Sequence, residues 1–158
     1  MVENTFIHSV EKFITRVDDS FAWQLCGESK NGSSVFEVSE VTLEPERISR
    51  GTTATFRIDA RMNGDGDGWS GDASVVDMVV HLGSVEVFSE QDPLCDVSSC
   101  PIPGQGIDFA ITYDRTFPFY TPPGRYHLMM QGHDTAHMNQ QILFCVEIDF
   151  TVHFFSET

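Results

Sequence analysis

Hydrophobic and polar positions follow two different periods along this chain. Over the first 20 residues the apolar positions recur at steps of three and four, at Phe6, Ile7, Val10, Phe13, Ile14 and Val17. This spacing predicts an amphipathic helix. Because its polar face mixes acidic and basic side chains rather than being basic, we expect the helix to pack on the protein's own body instead of lying on a membrane surface.

From about residue 34 onward the period changes to two. Apolar and polar side chains alternate most clearly in residues 54–60, 107–113 and 146–154, and further strand candidates cover 35–43, 73–82, 85–90 and 125–132. Turn-rich segments separate these runs. Seven half-buried strands at this spacing predict an all-β, immunoglobulin-like sandwich of two antiparallel sheets. The chain therefore divides into an N-terminal amphipathic helical extension at 1–20 and a β-sandwich domain at 21–158.

The net charge of the chain limits the kinds of molecule that it can bind. Its 158 residues carry 24 acidic against 9 basic side chains, a formal net charge of −15. Phosphate backbones repel such a surface, so we expect no nucleic-acid partner. No stretch approaches the roughly 20 apolar residues of a membrane-spanning helix. With 41% hydrophobic residues, the chain is long enough for one domain with a real core.

Four cysteines, Cys26, Cys95, Cys100 and Cys145, allow three pairings that arithmetic alone cannot decide. The close pair Cys95 and Cys100 could form a tight loop, which would leave Cys26 to meet Cys145. Zinc is the competing interpretation, but zinc ligands usually arrive as two close pairs. Disulfides are favoured, and they predict a secreted protein or one in the endomembrane or lysosomal-vacuolar lumen. Residues 1–20 lack the features of a secretory signal, so either a signal was removed before this numbering began or the protein is made without one.

Other motifs carry little chemistry. Residues 63–68 (NGDGDG) resemble the front of a calcium loop, but Ser74 stands where the bidentate glutamate is needed, which favours a hairpin turn. His133 and His137 are four residues apart between strands, which favours a solvated loop over a metal site. No Gly-x-Ser-x-Gly elbow or nucleophile with its base is recognisable. We therefore predict no catalytic residue, no metal, no cofactor and no enzyme activity.

Two arginines bracket the aromatic and proline-rich corner at residues 117–124. A guanidinium fork suits a phosphate, so Arg115 and Arg125 are candidate phosphate ligands. Exposed arginines are also common on protein surfaces, and two solvated side chains explain the pattern equally well. Both interpretations stay open at this point.

Three segments together resemble the ML (lipid-recognition) domain family: residues 92–102 (DPLCDVSSCPI), 120–128 (YTPPGRYHL) and 142–150 (ILFCVEIDF). Residues 41–45 (VTLEP) and 50–56 (RGTTATF) resemble that family's phosphatidylglycerol/phosphatidylinositol transfer protein-like branch. The likeness runs from about Trp23 to Phe154. It implies two sheets that splay apart around an internal hydrophobic cavity, and the disulfides Cys26–Cys145 and Cys95–Cys100. The chain lacks a further cysteine pair of the sterol-binding lysosomal members, which weakens a sterol assignment.

Strand alternation predicts the side chains that face the interior and would contact a lipid: Phe56, Ile58, Val80, Phe109, Ile111, Tyr113, Leu128, Met130, Val146, Ile148 and Phe150. Pliable methionines, such as Met78, Met129 and Met130, suit a cavity that must reshape. The resemblance places Phe119, together with Val87 or Phe88, near the cavity mouth. Alternation by itself does not separate an open cavity from a solid core, because both give the same pattern.

The resemblance implies a lipid-binding or transfer protein that holds a phospholipid or sterol between its sheets and exchanges it during transient membrane contact. The alternative is a lipid-dependent recognition adaptor, or an immunoglobulin-like interaction module without transfer activity. Stable complexes with a protein partner, without lipid exchange, would favour the alternative. The residues identify neither the natural lipid nor the oligomeric state nor a protein partner.

Overall fold

The alternating segments form strands that pair into two sheets. The structure is a computed structural model that describes residues 21–27, 34–63, 68–135 and 141–155; the predicted N-terminal helix, the middle of the 63–68 turn and His137 lie outside these ranges. Within them the elements are β1 (Ala22–Leu25), β2 (Phe36–Glu44), β3 (Ile48–Ser49), β4 (Thr52–Met62), β5 (Ser74–Leu82), β6 (Val85–Pro93), α1 (Leu94–Val97), β7 (Phe109–Phe117), β8 (Gly124–Asp134) and β9 (Ile142–His153).

The larger sheet has the order β1-β9-β8-β5-β6, with β3 also beside β9, and the smaller sheet has the order β2-β4-β7. Neighbouring strands are antiparallel, except that β3 runs parallel to β9. Backbone ladders hold each sheet together. No ladder joins the two sheets in the described ranges, so the packing of facing side chains holds the sheets together.

The facing side chains are those of the two-residue period. In β4 the alternate residues Ala54, Phe56, Ile58 and Ala60 are buried, and the residues between them are exposed or half-buried. The same alternation runs along β8. β9 lies in the interior of the larger sheet, and four successive residues, 143–146, are buried there. Burying such side chains contributes about 1.5–3 kcal/mol each, which is the main stabilisation of the sandwich.

Both disulfides have the pairing that the resemblance implied. Cys26 is bonded to Cys145, which joins the end of β1 to β9. Cys95, in α1, is bonded to Cys100. Gly71 lies against this second bond with φ of 81°, and a Cβ at that position would come within 2.6 Å of Cys100 Sγ. Disulfides of this kind are consistent with a secreted or lumenal protein.

The predicted two-sheet antiparallel sandwich is confirmed. Each of the seven predicted strands is present, with ends that move by a few residues. The structure adds β1 and β3, which are too short to show a period. Two apolar residues depart from the predicted alternation, because Ile107 precedes β7 and Phe154 follows β9, and both are exposed.

The two disulfides should differ in their effect on stability. In the chain-entropy description, closing the long Cys26–Cys145 loop contributes about 5 kcal/mol, and closing the short Cys95–Cys100 loop contributes about 2 kcal/mol. Replacing both members of each pair by serine and measuring the free energy of unfolding in urea should show the larger loss for the Cys26/Cys145 variant. Equal losses would show that chain entropy is not the main contribution.

Candidate functional site

A cavity of about 670 Å³ opens between the sheets at the end where β7 finishes and β8 begins. Its lining comes from both sheets and from the loop between them. The apolar and aromatic side chains of that lining are Phe56, Met78, Val80, Val87, Phe88, Phe117, Pro118, Tyr120, Pro122, Tyr126, Leu128 and Phe150. The volume lies in the range of about 300–1,000 Å³ that small-molecule sites occupy.

An aromatic cluster forms the inner wall of the cavity. The ring of Phe150 stacks on Tyr126 at 5.6 Å between centroids, and meets Phe56 edge-on at 5.4 Å and Phe117 at 5.8 Å. Aromatic pairs in these geometries add about 0.5–1.5 kcal/mol beyond their buried area. Rigid rings that pack on one another in this way do not collapse into the space beside them.

The loop that follows β7 is tied to this cluster. Tyr126 donates a hydrogen bond from its hydroxyl to the carbonyl oxygen of Pro122, at 2.5 Å. Burial raises the pKa of Tyr126, so this donor keeps its proton at neutral pH. The hydrogen bond fixes the proline segment at the edge of the cavity.

A bulge in the β5–β6 pair explains why two successive residues of β6 line the cavity. Val80 is opposite Phe88, but the next residue, His81, is opposite Glu86, so Val87 is the extra residue. A bulge of this kind reorients a side chain that would otherwise point to the other face. Val87 and Phe88 therefore both reach the cavity, whereas strand parity would have offered only one of them.

A polar cluster joins the two sheets beside the cavity. Arg115 of β7 makes an ion pair with Glu90 of β6, and its guanidinium lies 4.9 Å from the ring centroid of Phe88. Two residues earlier on β7, the hydroxyl of Tyr113 donates a hydrogen bond to the carboxylate of Asp92 at 3.2 Å. Because β6 and β7 are edge strands of different sheets, these contacts link the sheets where no backbone ladder does.

Burial and the negative charge of Asp92 raise the pKa of Tyr113 far above its ordinary value, so its hydroxyl stays protonated as a donor. Burial lowers the pKa of Arg115. A guanidinium nevertheless keeps its charge at physiological pH.

The structure places six of the predicted lipid contacts in the lining: Phe56, Val80, Val87, Phe88, Leu128 and Phe150. Six others, Ile58, Ile111, Tyr113, Met130, Val146 and Ile148, are buried in the core outside that lining. Phe109 lies at the opposite end of β7, where its ring meets Phe36 edge-on at 4.9 Å. One half of the sandwich is thus filled by side chains and the other half is open.

The methionines separate in the same way. Met78 lines the cavity and Met130 is buried outside its lining, whereas Met129 is exposed on the outer face of β8. Pro118 and Tyr120 also line the cavity, although they were not among the predicted contacts, since loop residues have no period to interpret.

Phe119 lies outside the cavity. It is 78% exposed, and its ring covers Gly51, where a Cβ would come within 2.8 Å of it. Gly51 has φ of 81°, a conformation that glycine adopts without strain. Next to it, Arg50 stacks on Phe154 at 4.5 Å, and Phe154 contacts Phe155. Phe119, Phe154 and Phe155 therefore form an exposed aromatic patch at the end of the sandwich where the cavity opens.

The structure also separates the two bracketing arginines. Arg115 lines the cavity, whereas Arg125 is exposed on the outer face of β8 and donates a hydrogen bond to Thr151 at 3.2 Å. Only the first of them can reach a molecule held between the sheets.

Across residues 21–27, 34–63, 68–135 and 141–155, no group of three or more histidine, cysteine, aspartate or glutamate side chains is arranged to hold a metal ion. His133, one of the two histidines considered above, instead contacts the Asp77 carboxylate at 2.6 Å. No helix in the described part of the chain is long and apolar enough to cross a membrane.

Comparison with known proteins identifies the family. The family model of the ML domain matches residues 20–152, which is most of the chain. The chain therefore belongs to the ML domain family. Since ML domains are lipid-recognition domains, this membership supports lipid binding as the general function.

Solved structures support the same fold. A Niemann-Pick type C2 protein from the Japanese carpenter ant is similar with a TM-score of 0.59 and 14% identity, over 83% of this chain and 98% of that chain. The C-terminal domain of wzt is similar with a TM-score of 0.51 and 9% identity, over 87% of this chain and 80% of that chain. No curated protein sequence matches the chain. At these identities the likeness is one of fold.

The Tyr113 hydroxyl should make stability sensitive to high pH. Tyrosine in the unfolded chain loses its proton near pH 10, while the raised pKa keeps Tyr113 protonated in the folded protein. The contribution of this hydroxyl to the free energy of unfolding is therefore fully present below about pH 10 and is lost as the pH rises further. Tyr113→Phe should unfold about 1–2 kcal/mol more easily at about pH 8, because Asp92 loses a donor, and should lose less stability on going to about pH 11.

Urea unfolding of both proteins at the two pH values measures this difference. Tyr120→Phe is the control, since Tyr120 is 84% exposed. Equal slopes of stability against pH for the protein and its Tyr113→Phe variant would contradict the assignment.

Proposed function

We propose that this protein is a lipid carrier, which holds the hydrocarbon part of one phospholipid or sterol in the cavity between its sheets and exchanges it with membranes. The observation that carries the proposal is the cavity itself, apolar along most of its wall and open at one end. Each methylene that leaves water for such a wall contributes about 0.8 kcal/mol. Side chains in the cavity wall would thus act by burying hydrocarbon, and the proposal includes no catalytic step.

Six of the predicted contacts, Phe56, Val80, Val87, Phe88, Leu128 and Phe150, would touch the bound lipid. Met78 would adapt to its shape, because a thioether chain changes rotamer easily. The resemblance to the phosphatidylglycerol/phosphatidylinositol transfer protein-like branch favours a phospholipid over a sterol. Secretion, or residence in an endomembrane or lysosomal-vacuolar lumen, fits both the family and the two disulfides.

Membrane contact would occur at the aromatic patch. Phe119, Phe154 and Phe155 are exposed at the open end, so a bilayer that these rings touch would lie beside the opening of the cavity. Exposed groups of large apolar side chains commonly mark sites of membrane or protein contact.

Native mass spectrometry of the purified protein, with lipid analysis of an organic extract, tests the proposal. A phospholipid or sterol at one molecule per chain is the expected result. Protein that is empty, and that also takes up no labelled lipid from vesicles, would contradict it. That second result would favour an interaction module, for which a stable protein complex would be the next observation to seek.

Filling the cavity should abolish lipid uptake. Val80 points into the cavity, while its neighbour Val79 lies on the opposite face of β5. Val80→Trp should therefore reduce uptake of labelled lipid at least tenfold, because the indole occupies the space for hydrocarbon, and Val79→Trp should have little effect. Uptake is measured by fluorescence of the labelled lipid after separation from vesicles. Equal uptake by the two variants would place the lipid elsewhere.

Removing the aromatic patch should slow exchange without preventing binding. A double variant, Phe119→Ser with Phe155→Ser, should transfer lipid between vesicles several-fold more slowly, yet bind soluble lipid with unchanged affinity, since neither ring lines the cavity. Ile107→Ser is the matched control, because Ile107 is 57% exposed at the other end of β7. An equal slowing by the control variant would show that the patch has no special role.

A further inference from the structure

The polar cluster beside the cavity contains an unsatisfied hydrogen-bond donor. Arg115 lines the cavity, and its Nε is buried without a hydrogen-bond partner in the described part of the chain. The adjacent Nη2 makes the ion pair with Glu90. A buried donor without an acceptor costs about 1–3 kcal/mol. One half of the guanidinium fork therefore has a partner within the described chain and the other half does not.

In the described part of the chain, no other cation faces the cavity. Among the described residues of its lining, Arg115 is the only basic one and Asp114 the only acidic one. The carboxylate of Asp114 accepts a hydrogen bond from Thr55 at 2.5 Å on the exposed face of the smaller sheet. In a chain with a net charge of −15, a single guanidinium at a mostly apolar cavity is the group that would attract a negatively charged molecule.

The surroundings of Arg115 strengthen an ionic contact. Phe88 and Tyr113 place ring faces 4.9 and 5.6 Å from its guanidinium carbon, which holds the planar group in one orientation. Its side chain is only 29% exposed, so water screens its charge less than at an open surface. A guanidinium whose orientation is fixed loses little side-chain entropy when it binds a planar anion.

From this geometry we infer that Arg115 determines head-group specificity: an anionic lipid head, a carboxylate or a phosphate, binds across Nε and Nη2 and takes the place of Glu90. The inference rests on the proposed function, since the hydrocarbon must occupy the cavity. The incoming anion satisfies the buried Nε donor and exchanges one carboxylate contact at Nη2 for another. Glu90 acts as an internal competitor, which holds the arginine in place while the cavity is empty and must be displaced by the ligand.

Oleate and oleyl alcohol provide a direct test, because they share one hydrocarbon chain and differ in the charge of the head. Both are titrated against an environment-sensitive fluorescent dye bound in the cavity. The protein should bind oleate at least tenfold more tightly than oleyl alcohol. Arg115→Gln should bring the two affinities to within about twofold of each other, by weakening oleate alone. Arg125→Gln, with its arginine on the outer face, should keep the full preference.

Glu90→Gln examines the exchange itself. Removing the competing carboxylate should tighten oleate binding several-fold and leave oleyl alcohol unchanged. A variant in which both affinities change equally, or in which oleate is weakened, would overturn the role of Glu90. Two controls show that the fold of each variant is intact: its thermal unfolding temperature and its unchanged affinity for oleyl alcohol.

Three results separate failure of this inference from failure of the proposed function. If neither lipid displaces the dye, the protein does not bind lipid in the cavity and both ideas fail. If both lipids bind equally well before any substitution, or if Arg115→Gln keeps the preference, lipid binding stands and the role of Arg115 fails. Inorganic phosphate alone should not displace the dye or weaken oleate binding at millimolar concentration; if it does, the arginine is a site for free anions rather than for a lipid head.

Discussion

In the described part of the chain, the two sheets of this sandwich are joined by side chains and not by a shared backbone ladder, and the rest of the structure depends on that separation. Where opposing side chains are bulky and alternate regularly, as at Ile58, Ile111 and Ile148, they fill the space and form a core. Where the aromatic cluster around Phe150 supports itself, the sheets stay apart and a cavity remains. The disulfide from Cys26 to Cys145 links the end of the edge strand β1 to β9. This edge of the larger sheet is therefore held covalently as well as by its backbone hydrogen bonds.

The same separation decides where polar chemistry is possible. Edge strands β6 and β7 belong to different sheets, so groups that cross between them face the cavity or its rim. Arg115, Glu90 and Asp92 occur there as charged side chains that would be unfavourable in the closed part of the core. The protein combines an apolar space for hydrocarbon with a small charged cluster at its side, and family membership gives this combination a general function in lipid recognition.

Most of the fold could be predicted from the sequence, because one-sided burial imposes a two-residue period on long strands such as β4 and β8. The short strands β1 and β3 have too few residues to show it. The location of the cavity could not be predicted, since Val80 and Ile58 obey the same alternation and only their partners across the sandwich decide which lines a space. The bulge at Val87 and the placement of Phe119 over Gly51 also depend on contacts between distant segments. Arg115 and Arg125 looked equivalent along the chain, and strand register separates them.

The position of the lipid is the central claim, and it can be observed directly. Nuclear magnetic resonance on protein with labelled methyl groups and bound oleate would detect intermolecular contacts between acyl-chain protons and individual side chains. The account predicts such contacts to the methyl groups of Val80, Val87 and Leu128, which line the cavity, and none to Val79 on the outer face. Contacts to Val79 without any to Leu128 would show that the lipid lies outside the sandwich and would contradict the account.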